Sequence, residues 1–332
     1  MLNNAYRSFK FVCLFFILFF YVSYLFGAKS IGCVEGKIQK ISTLISGEIG
    51  VAVKHIENGR WIEFNGFKRF PMASTYKLPI AVYCLSLIDQ GRFGLKEKVG
   101  LTKYDFWEHS HLTSKVPTCG EIKISIKKLI KAMISCSDNV ASDKILQIVG
   151  GPSVVTEWLQ RNGFEQISIN RTALKMRVEF NGINWNELNQ NYYSPQSFSI
   201  LRNKVSRKTK LEAMNRFFRD LQDTTTPVEM VHFLSCFYNR KIIGEYSTNF
   251  LLESMKMCRC AHRLKGLLPK GTKVWHKTGT LDGAISDIGV IELPKNKGHL
   301  AIAVYTSKSM NFSHRRERAI ACIARIIFNY FA

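Results

Sequence analysis

Acidic residues are scarce in this 332-residue chain: 25 Asp and Glu stand against 47 Lys and Arg, for a formal charge of +22 at pH 7. That surplus leaves a basic solvated surface or attraction to an anionic envelope surface or polymer as readings. No basic-aromatic motif accompanies it, so nucleic acid is not an expected partner. No low-complexity tract or short repeat period occurs, which excludes solenoids and arrays. Nine cysteines (13, 33, 84, 119, 136, 236, 258, 260 and 322) form neither a disulfide framework nor a paired zinc knuckle. Cys258-Arg259-Cys260 is too close for an ordinary disulfide between its members. Buried free thiols are therefore expected, with no metal and no cofactor.

Long apolar runs are also missing, with one qualification. Arg7 and Lys10 precede an apolar run over residues 11–26, followed by Gly27-Ala28-Lys29. A charged start, an apolar stretch and a small-residue exit form the pattern of an export signal. The run is short for a membrane span. Residues 1–28 are thus expected to be a signal peptide or an uncleaved N-terminal anchor, placing the protein outside the cytoplasm, in the periplasm.

The remainder, residues 34–332, is long enough and apolar enough (46% hydrophobic over the whole chain) for one large unit or two packed subdomains. Residues 34–44 read as a helix, 49–53 and 61–64 as a hairpin, and 74–90 as a helix closed by Gly91. The stretch 95–252 is mostly helical in pattern, with helices at 124–135, 141–149 and 154–162. Strand-like runs return at 273–276, 285–293 and 300–306, before a terminal helix at 315–331. An α/β (α+β) fold follows: an antiparallel sheet drawn from both chain ends (about 34–92 and 256–332), flanked by helices, plus an all-α subdomain over about 93–255.

Three short motifs stand in order along this frame. Ser74-Thr75-Tyr76-Lys77 is an S-x-x-K on the first turn of a helix. One turn places Lys77 beside Ser74, where an amine can take the hydroxyl proton, and the helix N-terminus offers N–H groups to an oxyanion. Alone this is a weak signal, since Ser125-Ile126-Lys127-Lys128 matches it too. Ser137-Asp138-Asn139 is the second motif and Lys277-Thr278-Gly279, at the end of a strand-like run and before Thr280, is the third. Ser137 follows Ser74 by 63 residues and Lys277 follows Ser137 by 140.

S-x-x-K, S-D-N and K-T-G together are the joint signature of class A β-lactamases and penicillin-binding proteins. The chain resembles the class A serine β-lactamase family over most of residues 34–332, through residues 70–77, Arg263 to Pro269, His276 to Thr280, and Asp223-Thr224-Thr225-Thr226-Pro227. The resemblance implies a nucleophilic Ser74 with Lys77 as its base or proton relay. Ser137 would pass a proton to the leaving nitrogen, and Asn139 would fix Lys77 and the substrate amide. Lys277, Thr278 and Gly279 would form the carboxylate subsite. The N–H groups of Ser74 and Thr280 would hold the oxyanion. Ser286-Asp287-Ile288 offers no arginine on the following strand, and Arg263 matches an alternative family position for that cation. His109 aligns with the aromatic that walls the family's cleft. The implied partner is a β-lactam or peptidoglycan-like small substrate, acted on by a monomer.

One family element is broken. Class A hydrolysis uses a loop glutamate to activate the deacylating water, and the corresponding segment here is Asn170-Arg171-Thr172-Ala173. Ala173 takes the glutamate's place. Arg171 and Asp223, which would staple the loop, remain, but 51 residues lie between them. So long an insert is expected to fold locally over residues 172–222, with a helix at 210–221. Asn184-Trp185-Asn186-Glu187-Leu188-Asn189 superficially repeats the family's loop, which makes Glu187, or failing that Glu179, the candidate relocated base. Three functions remain open: a β-lactam hydrolase with unusual deacylation, a penicillin-binding-type peptidase or esterase, or a non-catalytic envelope-binding protein.

Overall fold

A computed structural model describes residues 31–185 and 195–332. The expected signal and Glu187 lie outside the described residues. Helix α1 (Ile31–Thr43) leads into strands β1 (Glu48–His55) and β2 (Trp61–Phe64), and β3 (Phe70–Pro71) precedes helix α2 (Lys77–Asp89). Strands β4 (Lys98–Thr102) and β5 (Glu121–Ser125) are followed by helices α3 (Ile126–Ser135), α4 (Asn139–Ile148) and α5 (Pro152–Arg161). Helices α6 (Ala173–Phe180), α7 (Pro195–Lys204) and α8 (Arg207–Phe217) fill the insert. Then come β6 (Thr224–Thr225), α9 (Pro227–Tyr238), α10 (Glu245–Lys256), β7 (Val274–Leu281), β8 (Ala284–Glu292), β9 (His299–Ser307) and α11 (Ser313–Phe331).

The five-stranded sheet runs β2-β1-β9-β8-β7 with antiparallel pairing throughout, so strands from both chain ends do share it. Its strands feed two cores. In β9, Leu300, Ile302 and Val304 face one cluster with residues of α1 and α11, while Ala301, Ala303 and Tyr305 face the other. That period of two is why β8 and β9 are buried along nearly their whole length. The small side chains of Ala301 and Ala303 leave room for α9, which packs against β9 and β1. Helix α2 is buried without interruption from Lys77 to Ser86, as a helix apolar all round must be.

Four expectations change. The stretch 95–252 is not wholly helical: β4 and β5 pair in register from Lys98↔Ser125 to Thr102↔Glu121, and the alternation of Glu121-Ile122-Lys123-Ile124 is the local reason. K-T-G lies inside β7 rather than at a strand end, because β8 pairs with it through Leu281↔Ala284. Among the described residues the insert holds three helices instead of the one expected, and the helix expected at 210–221 is displaced to Arg207–Phe217. Its small core joins Trp107, Ala173, Leu174, Val178, Ile183 and Phe198. Finally, the eight described cysteines are all free, but only Cys84 is buried; Cys33 and Cys119 are exposed and the rest are half-buried. Among the described residues no helix is long and apolar enough to cross a membrane, and no cluster of His, Cys, Asp and Glu is arranged to hold a metal.

Candidate active site

The nucleophile segment is a 3₁₀ turn, Ala73–Tyr76, that passes straight into α2. Ala73 adopts φ +45°, a left-handed conformation that costs a residue with a Cβ about 1–2 kcal/mol. Ser137, in the turn between α3 and α4, has φ +58°, and Asp223 at the neck of the insert has φ +54°. These three strained positions all sit at the candidate site or its supporting loop, where the surrounding structure must hold them.

Strand β7 lies against the 3₁₀ turn. Gly279 is required at that contact: a Cβ there would sit 2.4 Å from Ser286 Oγ and 2.6 Å from the Met72 carbonyl. The strand's pleat sends Lys277 towards Ser137, and its Nζ donates to Ser137 Oγ at 2.9 Å and to the Thr278 carbonyl at 2.7 Å. From the other side Lys77 Nζ donates to the Ser137 carbonyl at 2.6 Å and to Asn139 Oδ1, with Ser137 Oγ at 3.4 Å. The Ser137 hydroxyl is therefore held between two buried amines.

Both amines are fully buried. Burial, reinforced by the charge of Lys277, lowers Lys77 to about 7, with Glu108, Asp143 and Asp138 opposing the shift. Burial likewise lowers Lys277 to about 8. At neutral pH a substantial fraction of Lys77 is thus a neutral amine. Such an amine has two N–H groups, matching its two close acceptors, and a lone pair left to receive a proton. The Lys77 backbone N–H donates to the Ser74 carbonyl, but among the described residues no hydrogen bond joins Lys77 Nζ to the Ser74 hydroxyl; the amine bonds to the S-D-N turn instead.

Asp138 caps α4 through the Ala141 N–H at 2.8 Å and accepts from the Ser110 hydroxyl and the His111 N–H. It thereby fixes the loop after β4 over the site. Two neighbours of the S-D-N motif were not found from the sequence. Glu108 accepts from Asn139 Nδ2 at 2.6 Å, which turns the amide oxygen towards Lys77. Asp143, one turn beyond Asn139, accepts from the N–H groups of Ala173 and Leu174 at 2.6 and 3.0 Å and from Trp107 Nε1 at 3.2 Å. Burial pushes its carboxyl up to about 6. The i, i+4 spacing on α4 was the available signal for Asp143; for Glu108 nothing but adjacency to His109 pointed there.

His109 itself is exposed, and no hydrogen bond ties it to the site among the described residues. Arg263 is buried, and its donors go to the carbonyls of Gly279 and Ser286, to Thr280 Oγ1 and to Glu317. Its charge stands behind Thr280 as a staple of β7 to β8 rather than as a free hand for a ligand.

The loop staple is present. Arg171 Nε meets Asp223 Oδ2 at 2.5 Å, both residues being buried, and its Nη1 reaches Glu179 at 2.6 Å and Asp220 at 3.2 Å. The guanidinium also stacks over Phe217, 4.8 Å from the ring centre, which ties α8 to the loop neck. A cavity of about 540 Å³ opens between Arg171, Glu179, Arg216 and Asp220. Glu179 is committed to this cavity and to Arg171, which removes it as the relocated base; Glu187 lies outside the described residues.

Ala173, where the loop glutamate was expected, packs in the small insert core with Trp107 and Phe198. Replacing it by glutamate would bury a carboxylate among apolar side chains beside Asp143. The Ala173→Glu variant is expected to lose on the order of 3 kcal/mol of stability, seen as a lowered Tm, with no gain in β-lactam turnover. A rise in turnover at unchanged Tm would refute this.

Known proteins match this chain along most of its length. A family profile described as the beta-lactamase enzyme family matches residues 34–331. The chain is 29% identical over 304 residues to beta-lactamase VEB-1 of Pseudomonas aeruginosa, covering 89% of each. It is 26% identical to the extended-spectrum beta-lactamase PER-1 of the same organism, over 88% of this chain and 86% of the relative. Among solved structures, TLA-1 extended-spectrum beta-lactamase aligns at 30% identity with a TM-score of 0.74, covering 91% of this chain and 99% of the other. An ancestral class A beta-lactamase aligns at 25% identity with a TM-score of 0.72, covering 89% and 99%.

Proposed function

Because the chain belongs to the β-lactamase enzyme family, with its serine hydrolase fold, we propose that it opens β-lactam amides through an acyl-Ser74 intermediate. The observation that carries this reading is the Ser137 hydroxyl held between the buried amines of Lys77 and Lys277. Neutral Lys77 takes the Ser74 proton as its oxygen attacks the lactam carbonyl. The N–H groups of Ser74 and Thr280 hold the oxyanion. As the ring C–N bond breaks, the nitrogen collects a proton through Ser137. Lys277 and Thr278 bind the substrate carboxylate, with the charge of Arg263 behind them.

Deacylation is the departure from the family. Asp138 and Asp143 spend their carboxylates on N–H donors and hydroxyls, and Ala173 has none to offer. The acyl-enzyme then hydrolyses slowly, since a missing general base costs about 10²–10⁴ in rate. The same observation favours the second reading, a penicillin-binding-type peptidase or esterase for which β-lactams are slow inhibitors. The apolar N-terminal run and the +22 charge support an exported, periplasmic protein near an anionic envelope surface.

Turnover of a chromogenic cephalosporin by the full chain tests the assignment. Slow turnover that persists in Glu179→Gln but falls further in Glu187→Gln would identify Glu187 as the relocated base. Unchanged turnover in both variants removes the relocation. A complete absence of turnover, with an adduct still formed, transfers the protein to the second reading.

A further inference from the structure

Away from the cleft, the loop between β9 and α11 presents large apolar side chains to solvent. Met310 is 81% exposed and Phe312 is 75% exposed. The backbone that carries them is nevertheless pinned. The Ser309 N–H donates to the Gly283 carbonyl at 2.9 Å and the Met310 N–H donates to Ser46 Oγ at 3.0 Å. The Ser46 hydroxyl in turn donates to Asn311 Oδ1 at 3.0 Å. Through Ser46, Leu44, just past α1 and 74% exposed, comes to the same edge of the molecule. One exposed apolar side chain is ordinary, but three that stand nearly free around one pinned loop form a patch.

The insert continues this surface. A cavity of about 250 Å³ lies between the two: Met214, Phe218 and Arg219 line it on one side, and Gly283, Lys308 and Met310 on the other. Asn215 also lines it, and along α8 the exposed Lys208, Leu211 and Asn215 follow one helical face at spacings of three and four. Between residues 202 and 219 the insert carries seven Lys and Arg but a single acidic residue, Glu212. Exposed Arg315 and Lys308 carry the basic character across the loop. The nearby Glu48 is held by Lys68 at 2.8 Å and by Lys308 at 3.3 Å, which leaves its charge offset. Exposed Asp282, beside Gly283, is the other acid at this edge.

We propose that this face, formed by α8 and the loop before α11, docks on an anionic phospholipid bilayer; the inference deepens the envelope-facing reading above and rests on it. Lys208, Arg219, Lys308 and Arg315 meet lipid phosphates, while Leu44, Met310 and Phe312 enter the boundary between headgroups and acyl chains. Charge complementarity selects an anionic partner, and the projecting apolar side chains select a lipid one. A soluble polyanion would satisfy the charges but leave those apolar tips in water.

The test is hydroxyl-radical footprinting of the full chain, read by mass spectrometry, on vesicles of phosphatidylglycerol or of phosphatidylcholine. On phosphatidylglycerol, labelling of Met310 and Phe312 should slow, while the exposed Tyr246 of α10 keeps its rate. Each basic side chain near an anionic surface contributes about fivefold to binding. The triple variant Lys208→Gln/Arg219→Gln/Arg315→Gln should therefore lose about a hundredfold in docking and label at the free-protein rate. The same loss of charge on α3, in Lys127→Gln/Lys128→Gln/Lys131→Gln, should leave the protection intact. Unslowed labelling of the unaltered protein on phosphatidylglycerol would overturn the proposal, as would equal slowing on phosphatidylcholine. Equal slowing of Tyr246, or equal loss in both triple variants, would mean adsorption by net charge and would reject the patch. Protection by soluble polyphosphate without protection by vesicles would reject the lipid partner. Residues 1–28 can hold the chain on either vesicle, so labelling of these side chains is read rather than co-sedimentation. No β-lactam is present, so failure here leaves the acyl-Ser74 reading standing, and failed acylation leaves the docking result standing.

Discussion

Incubated with benzylpenicillin, the intact protein is expected to gain the mass of one drug molecule and to keep it. The gain should map to Ser74 and vanish in Ser74→Ala. The expectation of formation rests on the buried Lys77 amine, lowered to about 7, beside the S-D-N turn. The expectation of persistence rests on Ala173, packed against Trp107 and Phe198 where a water-activating carboxylate would be needed. Losing such a base slows a step by about 10²–10⁴, which turns a transient acyl-enzyme into a species that survives manual sampling. Time-resolved intact mass spectrometry reads it directly. An adduct that forms but clears within a typical turnover time would mean that a competent base exists, with Glu187 and Glu108 as the candidates. An adduct in Ser74→Ala would displace the nucleophile.

Lys77→Ala should slow acylation by a comparable 10²–10⁴, and the pH profile distinguishes a chemical role from a packing one. In the unaltered protein the acylation rate should climb as Lys77 loses its proton near pH 7. It should decline as Lys277, lowered to about 8, loses the charge that holds the substrate carboxylate. The product is a narrow bell. Lys77→Ala should lose the acid limb and keep the alkaline one. Glu108→Gln supplies the complementary shift: its amide oxygen can still accept from Asn139, but the negative charge that raises Lys77 is gone. The acid limb should then move to lower pH. Stopped-flow acylation across pH 5.5–9, a range set by these two groups, checks all three profiles. An acid limb retained in Lys77→Ala would show that another group takes the Ser74 proton.

Local elements are set by residues near one another in the chain, and the contacts between them by residues far apart. The hairpin at 48–64 and the central helix after Ser74 were legible, because turn chemistry and apolar spacing are local properties. K-T-G looked like a strand end because Gly279 and Thr280 do not continue an apolar run. Pairing with β8, possible only once the chain has folded back, extends β7 to Leu281. The sequence position of Arg263 matches a family carboxylate ligand, but burial gives that residue other work. Its donors are taken by Gly279, Ser286, Thr280 and Glu317, four partners 16 to 54 residues away.

By itself the sequence determined the family and the order of the three motifs, because each is a matter of residue identity and spacing. Tertiary structure alone decided how those residues act. It put Ser137 between two buried lysines, turned the Asn139 amide with Glu108, and set His276 against Asp287 on the reverse face of the same strand. The physical reason is that hydrogen bonding and burial are properties of neighbours in space. A lysine in the sequence carries an ordinary charge, and only burial in a closed core lowers Lys77 to about 7.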